Sequence, residues 1–341
     1  MENPVNITFR TLTPLWTGGV DQTCDRLHET GLIGSLRWWY EAMVRGLGGY
    51  ACDPTSEDRC EYAPRKPDPP EKQLCAACYL FGCTGWGRKF RLQVLSTPEL
   101  VAIDNIEVIK DGQAIGIQPI PLRPISEEEW CLLQLTLRLI DEYGAMGGKT
   151  IFKPSDELGR GDQFHHRDLG SVEIEFAQEW SCAKSLDELR NFVQKGWRKG
   201  KHKIDEHDCF WASLTNFWCV KGRYLARQNV QQSSFNLVLG RKQDKSEKER
   251  QGRRIIRWSD LLENRDDAVS QWLAGRQQES KKVFSFKNPA RTFGFINSGV
   301  VSFEEIKERL KKAWPDFNAQ AEFLTGEQVL KALFSPEGGK Q

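Results

Sequence analysis

Two amphipathic helical stretches, each flanked by short segments that alternate apolar and polar residues, most constrain what this chain can become. The first is "GLIGSLRWWYEAMVRGLGG", residues 31–49. Leu36, Trp39, Tyr40, Met43 and Leu47 recur there at helical spacing on one face, and Gly48-Gly49 ends the run. The second is "SEEEWCLLQLTLRLIDEYG", residues 126–144. It opens on Ser126 with Glu129 three residues later, the reciprocal pair that satisfies two free amides at a helix start. Residues 5–12 and 171–177 alternate as half-buried strands do, and residues 90–96 and 115–125 supply two more strands. The order strand, helix, strand, strand, helix, strand predicts an α+β, ferredoxin-like (RRM-like) domain, with an antiparallel sheet and both helices on one face.

At 341 residues the chain is long for one domain, and a tandem pair of such domains is expected, 1–178 and 179–341. The second half predicts helices over 185–197, 259–274 and 303–314, and strands near 210–220 and 283–296, a decorated copy of the same fold. Between the first helix and the second strand lies an insertion, about 50–88, whose residues 53–74 carry five prolines and no periodicity. Charge divides the halves. Residues 1–178 hold 18 basic against 26 acidic residues, and 179–341 hold 30 against 21, so the second half faces an anion or faces the first half. Residues 240–254, with seven basic and three acidic residues, read as a mobile loop. No apolar run approaches the roughly 18 residues of a membrane span, and "MENPVNITFR" lacks a leader's layout, which predicts a cytoplasmic protein.

Several familiar chemistries are excluded. "GAMGGKT" (144–150) resembles the end of a phosphate-binding P-loop, but Tyr143 stands where the motif needs glycine and a helix leads into it. "GCTGWG" (82–87) lacks dinucleotide-binding spacing, and no H-E-x-x-H or G-x-S-x-G occurs. Cys52, Cys60, Cys75, Cys78 and Cys83 fall within 32 residues. Without a secretory leader, the ten cysteines read as reduced thiols, and Cys60, Cys75, Cys78 and Cys83 are candidate ligands of a structural zinc. Basic and aromatic residues interleave at Arg88 and Lys89, at Lys149, Lys153, Arg160 and Arg167, and at Lys281, Lys282, Lys287 and Arg291, a mixture suited to single-stranded nucleic acid. His28, His165 and His166 are the histidines acid–base ribonuclease chemistry would use, but no nucleophile–base pair is evident and no catalytic residue is assigned.

Four stretches carry a resemblance. "TPLWTGG" (13–19), "GLIGSLRWWYEAM" (31–43), "CAACYLFG" (75–82) and the glycine-rich loop ending "LGSVEIE" (169–175) resemble the RAMP superfamily of CRISPR-associated proteins, in particular its type III-B Cmr branch. The resemblance implies two ferredoxin-like domains and a non-catalytic subunit of a multi-subunit ribonucleoprotein, bound to CRISPR RNA, target single-stranded RNA and other Cmr subunits. The alternative it allows is a metal-independent endoribonuclease that processes CRISPR transcripts. On this reading Thr17, Gly18, Gly19, Gly34, Ser35, Arg37 and Trp38 join the basic residues above as the RNA-binding set. Gly31 and Gly34 would let backbone approach RNA, and Arg37 would add a charged contact.

Overall fold

The computed structural model describes residues 5–150, 153–160, 163–176, 182–200, 210–229, 232–240, 267–275 and 280–334. The first unit runs β1 (Ile7–Thr11), α1 (Glu29–Gly46), two short helices α2 (Pro70–Gln73) and α3 (Ala76–Phe81), β2 (Phe90–Val94), a hairpin of β3 (Leu100–Ile103) and β4 (Ile106–Ile109), β5 (Ala114–Pro121), α4 (Glu127–Tyr143) and β6 (Val172–Phe176). Its antiparallel sheet has the order β2-β5-β1-β6, with Phe9 of β1 between Ile115 and Ile174. This is the ferredoxin-like order. The strands alternate as the sequence predicts. Ile7, Phe9, Ile115 and Ile117 are buried with α1 and α4 in one core, while Arg10, Arg91 and Gln93 face outward. α4 carries the predicted cap, in which Ser126 Oγ accepts from the Glu129 amide and Glu129 accepts from the Ser126 amide at 2.8 Å. The β3–β4 hairpin was not anticipated. It forms a separate two-stranded sheet, joined to the loop after β1 by a bridge between Leu15 and Ile109.

Beyond α5 (Leu186–Gln194), a second antiparallel sheet is built from β7 (Phe217–Lys221), β8 (Val283–Lys287), β9 (Ala290–Phe295) and β10 (Phe323–Thr325), in the order β10-β7-β9-β8. Its fourth, first, third and second strands lie in the first sheet's order. The described helices between them are short: α6 (Ser234–Leu239), then Ala268–Ala274 and Phe303–Ala313. Nearly every residue of β7, β8 and β9 is buried. Trp218, Val220 and Val283 point into a core with this unit's own helices. Phe217, Cys219, Phe284, Phe286, Phe293 and Phe295 point the other way, into the core of α1 and α4. Trp39 of α1 lies 5.7 Å from the Phe293 ring and 6.1 Å from Phe217. Residues 177–181, 241–266 and 335–341 lie outside the described residues, and with them the 178/179 boundary, most of the basic run 240–254 and the first part of the 259–274 helix. Cys131 of α4 is bonded to Cys182 as a disulfide, so these two depart from the reduced-thiol expectation.

A candidate nucleic-acid interface

The start of α1 is held by neighbouring loops rather than by its own cap, since His28, the capping residue, makes no side-chain capping bond. Thr17 Oγ1 accepts from the His28 amide at 3.0 Å, and Ser35 Oγ accepts from the Gly147 amide at 3.0 Å. The Gly148 amide donates to the Trp16 carbonyl at 2.9 Å. These bonds draw loop 16–19, the first turns of α1 and loop 144–150 together around a cleft of about 470 Å³. Trp211, Ser280, Phe284 and Phe293 close its far side. The walls are therefore backbone-rich on one side and aromatic on the other, with Trp16 and Trp38 between. Two lysines stand over ring faces beside it: Lys149 Nζ is 4.5 Å from the Trp16 ring and Lys282 Nζ 4.4 Å from the Trp211 ring. Stacking surfaces, exposed backbone and flanking cations are what a single strand of nucleic acid uses.

Six glycines line the cleft, and the space each would leave a side chain separates them. A Cβ on Gly18 would lie 2.3 Å from the Trp16 ring, one on Gly148 2.8 Å from it, and one on Gly19 2.8 Å from His28. On Gly31 it would meet Thr17 at 3.1 Å, and on Gly147, whose φ is +86°, it would meet Leu15 at 2.6 Å. Protein packing explains all five. Gly34, inside α1, is the exception, since nothing lies within 4 Å of its Cβ position. A glycine inside a helix costs about 1 kcal/mol relative to alanine. No neighbour in the described structure requires that cost.

Of the expected RNA-binding residues, Thr17, Gly18, Gly19, Gly34, Ser35 and Trp38 come together on the cleft and Lys149 overhangs Trp16, while Lys282, over the Trp211 ring, is buried and donates to the Ser280 carbonyl. Others are bonded within the protein and do not line the cleft. Arg37 binds Glu41 at 2.7 Å, the Gly82 carbonyl at 2.8 Å and Cys78 Sγ at 3.1 Å, on the side of α1 facing the insertion. Lys89 is buried against Glu129 at 2.7 Å. Arg291 is buried and donates to the Asp141 and Gly144 carbonyls and to Ser171 Oγ, closing the end of α4. Lys153 reaches Asn236 at 3.1 Å, Arg160 pairs with Glu157 at 3.1 Å and Lys287 with Asp156 at 2.6 Å. Arg88, Arg167 and Lys281 are half-buried and do not line the cleft. The reading from sequence missed Trp211 and Ser280, which no local pattern marks, and passed over Gly147 and Gly148 within a rejected phosphate motif.

The histidines are dispersed. His28 Nε2 is 2.7 Å from Asp25. The His165 and His166 rings lie 4.2 Å apart, and burial, with His165 beside it, lowers the pKa of His166. Neither His165 nor His166 lines the cleft. The cysteine group also differs from expectation. The sulfurs of Cys52, Cys60, Cys75 and Cys78 lie within 4.8 Å of one another, and all four residues are buried. Cys83 is outside the set, half-buried, on a turn with Trp86. Cys52 takes its place because the chain leaving α1 turns back under α3.

Residues 8–152 match the model of the RAMP superfamily. Over that stretch the chain is similar to the RAMP superfamily. That stretch runs from within β1 through α4, with loop 16–19, the start of α1 and all of loop 144–150. Cmr1 from Pyrococcus furiosus, in its apo form, is 13% identical over 88% of this chain and 90% of that one, with a TM-score of 0.43. A chain of the type III-B Cmr-beta complex bound to cognate target RNA is 11% identical over 92% of this chain and all of its own, at 0.44. A chain of a type IV-B CRISPR complex is 14% identical over 57% of this chain and all of its own, at 0.37. No curated protein matches the chain.

Proposed function

We propose that this chain is a non-catalytic, RNA-binding subunit of a CRISPR effector complex of the type III-B (Cmr) kind, acting in the cytoplasm. The cleft would hold single-stranded CRISPR RNA, or the guide–target duplex near one end of the complex. Backbone approach and stacking would hold the strand, without reading its bases. The observation that carries the reading is Gly34, a helix-interior glycine that leaves open exactly the face of α1 lining an aromatic cleft. A ribose-phosphate strand lying on that face accounts for it. The RAMP match over residues 8–152 and the lysines over Trp16 and Trp211 support the same reading.

The test sets stability against binding. Gly34→Ala is expected to stabilise the fold by about 1 kcal/mol while weakening affinity for single-stranded RNA, and Gly34→Leu to weaken it further. Lys149→Ala is expected to lower the slope of log affinity against log salt by about one. Incubation of repeat-containing RNA with the protein in chelator is expected to leave the RNA intact. Unchanged RNA affinity in Gly34→Leu would overturn the cleft assignment. Discrete cleavage in chelator, lost on His165→Ala, His166→Ala or His28→Ala, would replace the whole reading with the endoribonuclease.

A further inference from the structure

We propose that Cys52, Cys60, Cys75 and Cys78 bind one zinc ion as a tetrathiolate, with Arg37 and Arg198 as its charge partners. Cys52 and Cys78 Sγ lie 3.4 Å apart and Cys75 and Cys52 Sγ 4.0 Å apart. Four sulfurs at the vertices of a tetrahedron with zinc–sulfur bonds of about 2.3 Å are about 3.8 Å from one another. The observed separations fall on either side of that value, and all four sulfurs stay within 4.8 Å. A disulfide would bring two of them to about 2.0 Å. A group this compact leaves room for a single ion.

The surroundings suit the charge such a site carries. A divalent ion on four thiolates has a net charge of −2, and binding would release the four thiol protons to solvent. Two guanidinium groups reach the sulfurs from different parts of the chain. Arg37 donates to Cys78 Sγ at 3.1 Å from α1, and Arg198 donates to Cys60 Sγ at 3.5 Å from beyond α5. Two backbone amides also donate to sulfur, Cys75 to Cys60 at 3.3 Å and Cys78 to Cys75 at 3.4 Å. Donors aimed at ligand sulfurs stabilise thiolate over thiol and orient the ligands. The ion would tie the insertion to α1 through Arg37 and to the second half through Arg198, whose amide also donates to the Leu74 carbonyl.

The experiment measures metal on the full chain, with no RNA present, so its failure leaves the RNA proposal untouched. Protein purified without chelator is expected to contain one zinc per chain by mass spectrometry of the metal. Replacement by cobalt(II) should give the intense visible bands of a tetrahedral tetrathiolate. Cys52→Ser and Cys75→Ser should lose the metal, and Cys83→Ser should keep it. Because ligand variants can fail to fold, Arg37→Gln and Arg198→Gln, which retain all four thiols, supply the second reading. Each is expected to weaken zinc about tenfold or more in competition with a chelating dye. Wild-type protein without metal would overturn the proposal, whether its four thiols were freely alkylated or paired as disulfides. So would metal lost from Cys83→Ser but kept in Cys52→Ser. Unchanged zinc affinity in both arginine variants would overturn the role given to the guanidinium groups.

Discussion

The two sheets share a strand order and differ in what covers them. In the first, α1 and α4 cover one face and the other carries residues such as Arg10 and Arg91. In the second, helices of its own unit such as Phe303–Ala313 cover one face, and α1 and α4 of the first unit, joined by the helix Gly326–Phe334, cover the other. A ferredoxin-like sheet with two long helices completes its core alone, whereas one with shorter helices must borrow a surface. The cleft lies where that borrowing occurs, between the start of α1 and the Phe284–Phe293 side of the second sheet. The walls of the cleft and the cohesion of the two units therefore depend on the same few aromatic residues.

The comparison can be broken most forcefully at the shared surface. Phe293→Ala, which removes a ring packed against Trp39, Phe217 and Phe284, is expected to cost about 3–5 kcal/mol in denaturant unfolding. Arg91→Ala, on the open face of the first sheet, is expected to change stability by less than about 0.5 kcal/mol. Equal effects would mean that the sheets do not differ as described. Arg291→Met keeps the stem of the side chain but removes its donors to the end of α4, and is expected to cost about 2–3 kcal/mol. Of comparable size is the pH response of Asp141, which accepts from the Ile174 amide at 3.1 Å. Burial, opposed by that bond and by Arg291, raises its pKa from 3.8 to about 6. The folded state then holds a proton that the unfolded state has released, so stability falls as pH rises from 3.8 to about 6. The Asp141→Asn difference from wild type should grow across that window and level off above it. A flat difference would show that Asp141 does not titrate there.

The same contrast explains what could be read from the chain. β1, β2, β5 and β6 alternate because water lies on one side, and α4 announces itself by Ser126 and Glu129. "FWCVK" and "VFSFK" are nearly continuous apolar runs because both their faces are buried, and a short run of that kind has no period to read. The hairpin of residues 100–109 escaped notice because its four-residue strands belong to neither main sheet. At the cleft, the residues from the first half were legible because glycine, serine and tryptophan cluster in one stretch. Trp211 was not, since its role depends on a contact across more than 170 residues of chain. Arg37, Lys89 and Arg291 looked like surface cations because charge shows in a sequence and burial does not. Spacing alone could not choose between Cys52 and Cys83.

The shared aromatic surface also bears on how the protein is made. Trp38 and Trp39 leave the ribosome about 250 residues before Phe293 and Phe295, the rings that cover them. At 5–20 residues per second that interval is on the order of tens of seconds. Throughout it the nascent first half presents an apolar helix face whose partner has not yet been synthesised. The apolar surface left open during translation and the cohesion of the finished molecule thus centre on the same pair of tryptophans.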